Sequence, residues 1–324
     1  MATAEQIKSL IRSHYNNDIG RFQSIALQIA ANEAKVGHHK LAKEIKEIIE
    51  KGSPIQQNIN RNGLDISAKE ELNGILQLKF TSIKKNELVL SKLLSESLDK
   101  ILNEHRNAAK LREYGLSPKR KLLFHGLPGT GKTVTAAMMA TELNLPLYTI
   151  MLDGLISKYM GETASKLRLV FNYISQNKAV YLFDEFDAIG SDRAIQNDTG
   201  EIKRVLNSFL IFFEEERSES IVIAATNHIS RLDKALYRRF DDLIEFDLPK
   251  DDEIRKLIKT KLALFKVNIS RWNDILDTAK GLSYAEITNA CNDTAKEAVL
   301  HTKGMISEEF LIKSLANKRM IEKA

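Results

Sequence analysis

The residues able to do chemistry are concentrated in a few short stretches. Gly126-Leu127-Pro128-Gly129-Thr130-Gly131-Lys132-Thr133 fits the spacing GxxxxGK[ST]. Glycines at these positions let a backbone wrap an anion with its N–H groups turned inward, because no Cβ stands in the way. Lys132 adds a positive charge for terminal phosphates, and the Thr133 hydroxyl can ligate Mg²⁺. A helix expected from Thr133 through Val134 to Leu143 presents its positive end to the same anion. The expected phosphate-binding set is therefore Gly126, Pro128, Gly129, Thr130, Gly131, Lys132, Thr133 and Val134.

A second group lies downstream. The apolar run Val180–Phe183 ends in Asp184-Glu185. Asp184, at the tip of a strand, can hold the shell of a Mg²⁺ ion together with Thr133. Glu185, one residue on, can polarise a water for attack on a terminal phosphate. The run Ile221–Thr226 ends in Asn227, which either orients that water or caps a turn; spacing alone does not separate the two.

Positioning such groups requires strands that end side by side. Short apolar runs at Leu122–His125, Leu147–Leu152, Val180–Phe183, Ile221–Ala225 and Leu243–Asp247 alternate with amphipathic segments. That alternation predicts an α/β fold, a parallel five-stranded sheet covered on both faces. A helix is expected over 87–114, with Leu90, Leu93, Leu94, Leu98, Ile101 and Leu102 on its buried side and Gly115 at its end. Ile202, Val205, Leu206, Phe209, Leu210 and Phe213 form another core-facing stripe.

The flanks read differently. Residues 1–52 carry apolar residues at helical spacing, ending at Gly52-Ser53-Pro54, and predict a small helical region. Residues 53–77, rich in Asn, Gln and Gly, read as a linker. The α/β part is expected over 78–250 and a helical lid over 251–324.

Composition narrows the rest. The 324 residues carry a net charge of +5, a mild balance that reads as solubility rather than nucleic-acid binding. No run reaches the ~18 apolar residues of a membrane span, and the first residues, MATAEQIKSLIRSH, are too polar for a secretory signal. The single cysteine, Cys291, leaves no internal disulfide and suggests a reducing, cytoplasmic compartment. Lys119-Arg120-Lys121 and Glu214-Glu215-Glu216 read as solvated charge runs, and Cys291 as a small core hydrophobe.

Taken in order, these motifs resemble the AAA+ ATPases, and within them the clade of katanin, spastin and the ATPase of the FtsH protease. The resemblance covers roughly residues 78–324. It implies that Gly126–Thr133 is a Walker A loop, Asp184-Glu185 a Walker B pair and Asn227 a first sensor. Asp233-Lys-Ala-Leu-Tyr-Arg238-Arg239-Phe240 is similar to the segment that carries arginine fingers, with Arg239 favoured as the main one. Many members place Pro-Gly between those arginines; here they are contiguous. Gly281-Leu-Ser-Tyr284-Ala285-Glu286 resembles the start of the lid helix, where Tyr284 stands in place of a small Gly and packs either on the base or into the lid; Ala285 fits a clade without a lid arginine.

The same resemblance implies ATP and Mg²⁺ as ligands and a homo-oligomeric ring, usually a hexamer. It places Lys158-Tyr159-Met160-Gly161 at the central pore, gripping an extended protein substrate; the loop at 192–200 reads either as a second pore element or as a plain surface loop. The implied activity is ATP hydrolysis coupled to remodelling or unfolding proteins. Because the chain has neither HExxH nor GxSxG, proteolysis needs a separate partner. The N-terminal region resembles that of bacterial AAA proteins encoded beside a subtilisin-like serine protease, some in phage-defence pairs. The alternatives are a nucleic-acid ATPase of helicase-loader type and an ATP-dependent assembly switch. Mild charge and the Tyr-Met-Gly loop weigh against the first; Lys132, Glu185 and Arg239 weigh against the second.

Overall fold

A computed structural model describes residues 8, 25–26, 28–30, 32–33, 37–38, 40–45, 72, 74–155, 162–187, 201–267 and 269–322. Lys158, Tyr159, Met160 and Gly161, the loop 192–200 and the asparagine-rich stretch 58–63 lie outside them. The chain divides into two compact units, Met1–Lys69 and Glu70–Ala324. In the first, residues 25–26, 28–30, 32–33 and 40–45 are helical, and His38 Nδ1 lies 2.7 Å from Glu33 Oε2.

The second unit is built on a six-stranded sheet. Its strands are β1 (Leu76–Lys79), β2 (Lys121–Gly126), β3 (Leu147–Ile150), β4 (Val180–Phe183), β5 (Ile221–Thr226) and β6 (Asp242–Phe246), in spatial order β1-β3-β4-β5-β2-β6. β2 to β6 are mutually parallel and coincide with the five apolar runs. The expected five-stranded sheet is corrected to six by β1, which pairs antiparallel with β3 from Leu76↔Ile150 to Lys79↔Leu147. Its sequence, Leu-Gln-Leu-Lys, is short and half polar, so it carries almost no strand signal of its own.

The central strands are buried on both faces, and the period of two sorts their side chains. From β4, Tyr181 and Phe183 enter one cluster, while Val180 and Leu182 enter the other. From β5, Val222 and Ala224 join the first, and Ile221, Ile223 and Ala225 the second. The first cluster is covered by α5 (Glu162–Gln176) and α6 (Glu201–Glu215), through Phe171, Phe209 and Phe213. The second is covered by α1 (Lys92–Arg106) and α3 (Lys132–Glu142), through Leu98, Ile101, Leu102, Met138 and Met139.

The single helix expected over 87–114 is two. A 3₁₀ turn at Lys85–Glu87 precedes α1, whose first turn is capped by Ser91 accepting from Leu94 N at 3.3 Å. Asn107 then interrupts the run, donating through Nδ2 to the Asn103 carbonyl at 2.8 Å, before α2 (Ala108–Glu113). Leu93 is exposed rather than buried, since the buried stripe of α1 runs through Leu94, Leu98, Ile101 and Leu102 and Leu93 falls to one side of it. Gly115, at φ 71°, closes α2 as expected.

Two short helices, α4 (Leu152–Leu155) and α7 (Lys234–Tyr237), lie within loops. The C-terminal helical part, called the lid below, consists of α8 (Asp251–Lys261), α9 (Trp272–Ala279), α10 (Tyr284–His301) and α11 (Glu308–Glu322) around Ile254, Ile258, Ile287, Ala290, Cys291 and Leu311. Burial pushes the Cys291 thiol up to about 12, so it stays protonated and packs as a small hydrophobe. Among the described residues no helix is long and apolar enough to cross a membrane.

The two charge runs read as solvated are mostly not. Glu216, with its side chain 1% exposed, pairs with Arg120 Nη1, and Arg120 Nη2 donates to the Glu216 carbonyl at 2.7 Å. Lys121 is buried, donates to the Phe213 carbonyl and sits 4.8 Å above the Phe213 ring. Lys119 Nζ lies 2.6 Å from Asp242 Oδ2. Asp241 accepts from the backbone N–H groups of Arg120 and Lys121 at 2.8 and 2.9 Å. These pairs fasten the start of β2 to the end of α6 and the start of β6. Removing one member of a buried pair strands its partner's charge. Glu216→Ala should therefore lower unfolding free energy by about 3 kcal/mol in urea titrations, whereas Glu215→Ala, on exposed surface, should change it by under about 0.5 kcal/mol. Equal effects would refute the pairing as the anchor.

Candidate functional site at the strand ends

Because β4, β5 and β2 are parallel neighbours, their C-terminal ends open on one edge of the sheet. Asp184 follows β4, Asn227 follows β5 and the glycine loop follows β2. They meet in a cleft of about 520 Å³ lined by Pro128, Gly129, Thr130, Gly131, Lys132, Thr133 and Val134, together with Asp184, Glu185 and Asn227. The lid closes its other side with Leu257, Lys261, Tyr284, Ala285, Thr288 and Asn289. Of the glycine-loop residues expected to bind phosphate, only Gly126 does not line the cleft; it ends β2 at its base.

The loop needs its glycines for two different reasons. Gly126, Gly129 and Gly131 lie at φ 147°, 73° and 103°, where a side chain is strained. At Gly126 a Cβ would collide with the carbonyl of Phe246 on β6, and at Gly129 it would sit 2.6 Å from Ser283 Oγ of the lid. At Gly131 it would meet nothing within 4 Å, so there the requirement is backbone shape alone. Thr130 Oγ1 braces the loop by donating to the Leu127 carbonyl at 2.7 Å.

Lys132 is buried and donates Nζ to the Gly126 and Leu127 carbonyls at 2.8 and 2.9 Å. Burial pulls its pKa below the ordinary lysine value, against the opposing charges of Asp184 and Asp187. Thr133 Oγ1 donates to Asp184 Oδ2 at 2.8 Å, so two hard oxygens converge at the mouth of the loop. Such a pair, beside a glycine cradle, fits a divalent cation accompanying a polyphosphate.

Glu185 occupies the left-handed region at φ 51°, an uncommon state for a non-glycine residue. It follows from the turn that brings Phe186 N back to donate to the Ala225 carbonyl of β5 at 2.8 Å. The carboxylate of Glu185 is thereby left exposed at the cleft rather than packed into the core. Thr226 Oγ1 donates to Asp187 at 3.0 Å and accepts from His228 N at 3.0 Å, which fixes the turn around Asn227.

The lid is attached directly to the loop. Ala285 N donates to the Gly129 carbonyl at 3.1 Å. Ser283 accepts from Glu286 N at 3.3 Å while Glu286 accepts from Ser283 N at 2.7 Å, a capping box that starts α10 at the cleft. Tyr284 both lines the cleft and packs on the lid cluster, and burial raises its hydroxyl pKa.

Arg238 and Arg239 are placed elsewhere. They follow α7, and neither lines this cleft. Arg238 is exposed; Arg239 Nε lies 2.8 Å from Glu214 Oε1. Glu87, the last residue of the 3₁₀ turn, and Leu88, Val89 and Leu90, which lead to α1, line the cleft without having been expected there. No local pattern marks them. Thr288 and Asn289 were findable, because they stand one helical turn after Tyr284 and Ala285.

Comparison with known proteins agrees with this arrangement. Residues 122–248 match the family model described as AAA, ATPase family associated with various cellular activities. An uncharacterized AAA family ATPase, y4kL, of Sinorhizobium fredii is 32% identical over 321 residues, covering 98% of this chain and 96% of that protein. A proteasome-activating nucleotidase of Sulfurisphaera tokodaii is 33% identical over 219 residues, 65% of this chain and 56% of that one. The ATP-dependent zinc metalloprotease FtsH of Parabacteroides distasonis is 32% identical over 223 residues, 66% of this chain and 33% of that one. The chain thus spans only part of those last two. With a glycine cradle, paired carboxylates and a lid at one sheet edge, and end-to-end similarity to y4kL, the chain belongs to the AAA family of ATPases.

Proposed function

We propose that this ATPase works as a homo-oligomeric ring, a hexamer, that remodels or unfolds protein substrates drawn through its central pore. One observation carries the ring reading. Lys132, Thr133, Asp184, Glu185 and Asn227 share one cleft, whereas Arg238 and Arg239 stand outside it. An arginine with no place in its own cleft can serve a neighbour's, where a permanently charged fork stabilises charge on the transferring phosphoryl group.

In this reading residues 78–250 form the ATPase core and 251–324 the lid. The backbone of Gly126–Thr133 and Lys132 hold the phosphates, and Val134, Tyr284 and Ala285 border the nucleotide. Thr133 and Asp184 would hold Mg²⁺, which neutralises phosphate charge when bound. Glu185 takes the proton of the attacking water, and Asn227 orients that water. Arg239, with Arg238 beside it, reaches the terminal phosphate of the next subunit.

Lys158, Tyr159, Met160 and Gly161 grip the substrate: an aromatic ring and a thioether make contacts that tolerate any sequence, and glycine lets the loop move. The relatives named as a proteasome-activating nucleotidase and as an ATP-dependent protease support coupling to proteolysis. Without HExxH or GxSxG in this sequence, we assign cleavage to a separate subtilisin-like serine protease, in bacterial phage defence. That assignment is supported by the likeness of the N-terminal region noted above.

Three outcomes test these roles. Burial already opposes the Lys132 ammonium, so Lys132→Met should shift unfolding free energy by no more than about 1 kcal/mol while abolishing the rise in melting temperature that ATP produces. A preserved ATP-induced rise would refute the loop assignment. Glu185→Gln should bind ATP with near-normal affinity yet turn it over at least about a hundred-fold more slowly; ordinary turnover in a phosphate-release assay removes it as the base. Tyr159→Ala should keep most ATPase activity and lose unfolding of a tagged fluorescent substrate, and intact unfolding would end the pore reading.

A further inference from the structure

We propose that a second cavity, behind the nucleotide cleft, binds a small anion carrying a diphosphate group and thereby loosens the hold on ATP. The inference takes the cleft at the strand ends as the nucleotide site and does not depend on the ring.

The second cavity has a volume of about 550 Å³, close to that of the cleft, and Leu88 and Leu90 line both. Residues 88–90 are therefore the wall between the two. Their side chains are divided between core and lid. Leu88 and Leu90 pack on the cluster beneath α1 and α3, while Val89 is buried in the lid cluster. The wall is pinned on both sides and can act as a pivot.

Core and lid both border this cavity. Lys84, Lys85, Asn86, Ser95 and Glu142 come from the core, and Lys256 from α8. The acidic groups near it are already engaged. Glu142 accepts from Lys85 N at 3.1 Å and from Arg106 Nη2 at 2.7 Å. Asp99 Oδ1 lies 2.5 Å from Lys85 Nζ. Glu87 accepts from Lys84 N at 3.3 Å and lines the other cavity. Among the described residues no carboxylate pairs with the ammonium of Lys84 or Lys256. One unmatched positive charge thus stands on the core wall and one on the lid wall, beside the amide of Asn86 and the hydroxyl of Ser95. Ammonium groups act as point charges and suit the tetrahedral oxygens of phosphate, whereas a planar carboxylate is best met by the fork of an arginine, and none lines this space. Two phosphoryl groups joined together can meet both ammoniums at once.

Such an anion draws α8 toward the 3₁₀ turn that carries Lys85. The lid then turns about Val89, and its other side, where Ala285 N donates to the Gly129 carbonyl at 3.1 Å, moves off the glycine loop. ATP needs that side closed, so the two ligands oppose each other, and the opposition is mutual.

Pyrophosphate, with magnesium in excess, is the probe. In Lys132→Met protein, whose phosphate loop is disabled, titration calorimetry should still show saturable binding. Adding Lys84→Ala or Lys256→Ala should weaken that binding about ten-fold each, and Lys256→Arg should keep it. Alone, neither alanine change should alter ATPase activity measured without pyrophosphate. In the unmodified protein, pyrophosphate should speed release of a preloaded fluorescent ATP analogue about five-fold. A competitor inside the cradle cannot change that rate, and with Lys84→Ala and Lys256→Ala together the rate should stay constant. GDP in the same titration separates two sources of the ligand: tighter binding than pyrophosphate assigns a nucleotide, weaker binding the free ion. Absence of pyrophosphate binding in Lys132→Met protein, binding that survives both alanine changes, or an unchanged release rate overturns the proposal. If Lys132→Met protein still binds ATP, the phosphate-loop assignment fails instead, and the effect of the alanine changes on pyrophosphate still decides the second cavity.

Discussion

The shape of one loop constrains everything around it. Gly126–Thr133 curls tightly between β2 and α3, with positive φ at three glycines. That curl brings the loop against two different layers. At Gly126 it touches the backbone of β6, and at Gly129 the first turn of the lid helix. The loop is thus the place where the sheet and the lid meet, and a Cβ at either glycine would push one of them away. Its attachment to Ala285 through the Gly129 carbonyl means that whatever fills the cradle also bears on the lid.

The opposite end of the strands solves a different problem. Arg120, just before β2, is largely buried and Lys121, its first residue, is buried, so their charges must be matched there. Glu216 answers Arg120, and a carbonyl and the face of Phe213 answer Lys121. Asp241 takes the two N–H groups with which β2 begins. These contacts join β2, α6 and β6 at one point, and the turn carrying Arg239 is framed by them.

How much of this was legible in the sequence depends on how local each signal is. The five parallel strands were, because a strand buried on both faces must be a nearly unbroken apolar run. The cleft residues of the glycine loop, Asp184 and Asn227 were legible for the same reason: each follows directly on such a run. β1 was not, since an edge strand needs only one partner and Leu76–Lys79 alternates like any surface segment. Lys119–Lys121 and Glu214–Glu216 look like solvent-facing charge because their mates lie far along the chain, and only the fold sets Arg120 beside Glu216. Leu88, Val89 and Leu90 reach the cleft only because the segment before α1 is irregular, a consequence of where Ser91 caps the helix.

The same helix end uses an arginine–glutamate pair twice, to opposite effect, and burial makes the difference. At Glu216 the carboxylate is 1% exposed and Arg120 15%, so breaking the pair costs several kcal/mol and the join is permanent. At Glu214 the carboxylate is 53% exposed, and water competes for it, so the pair holds at most about 1 kcal/mol.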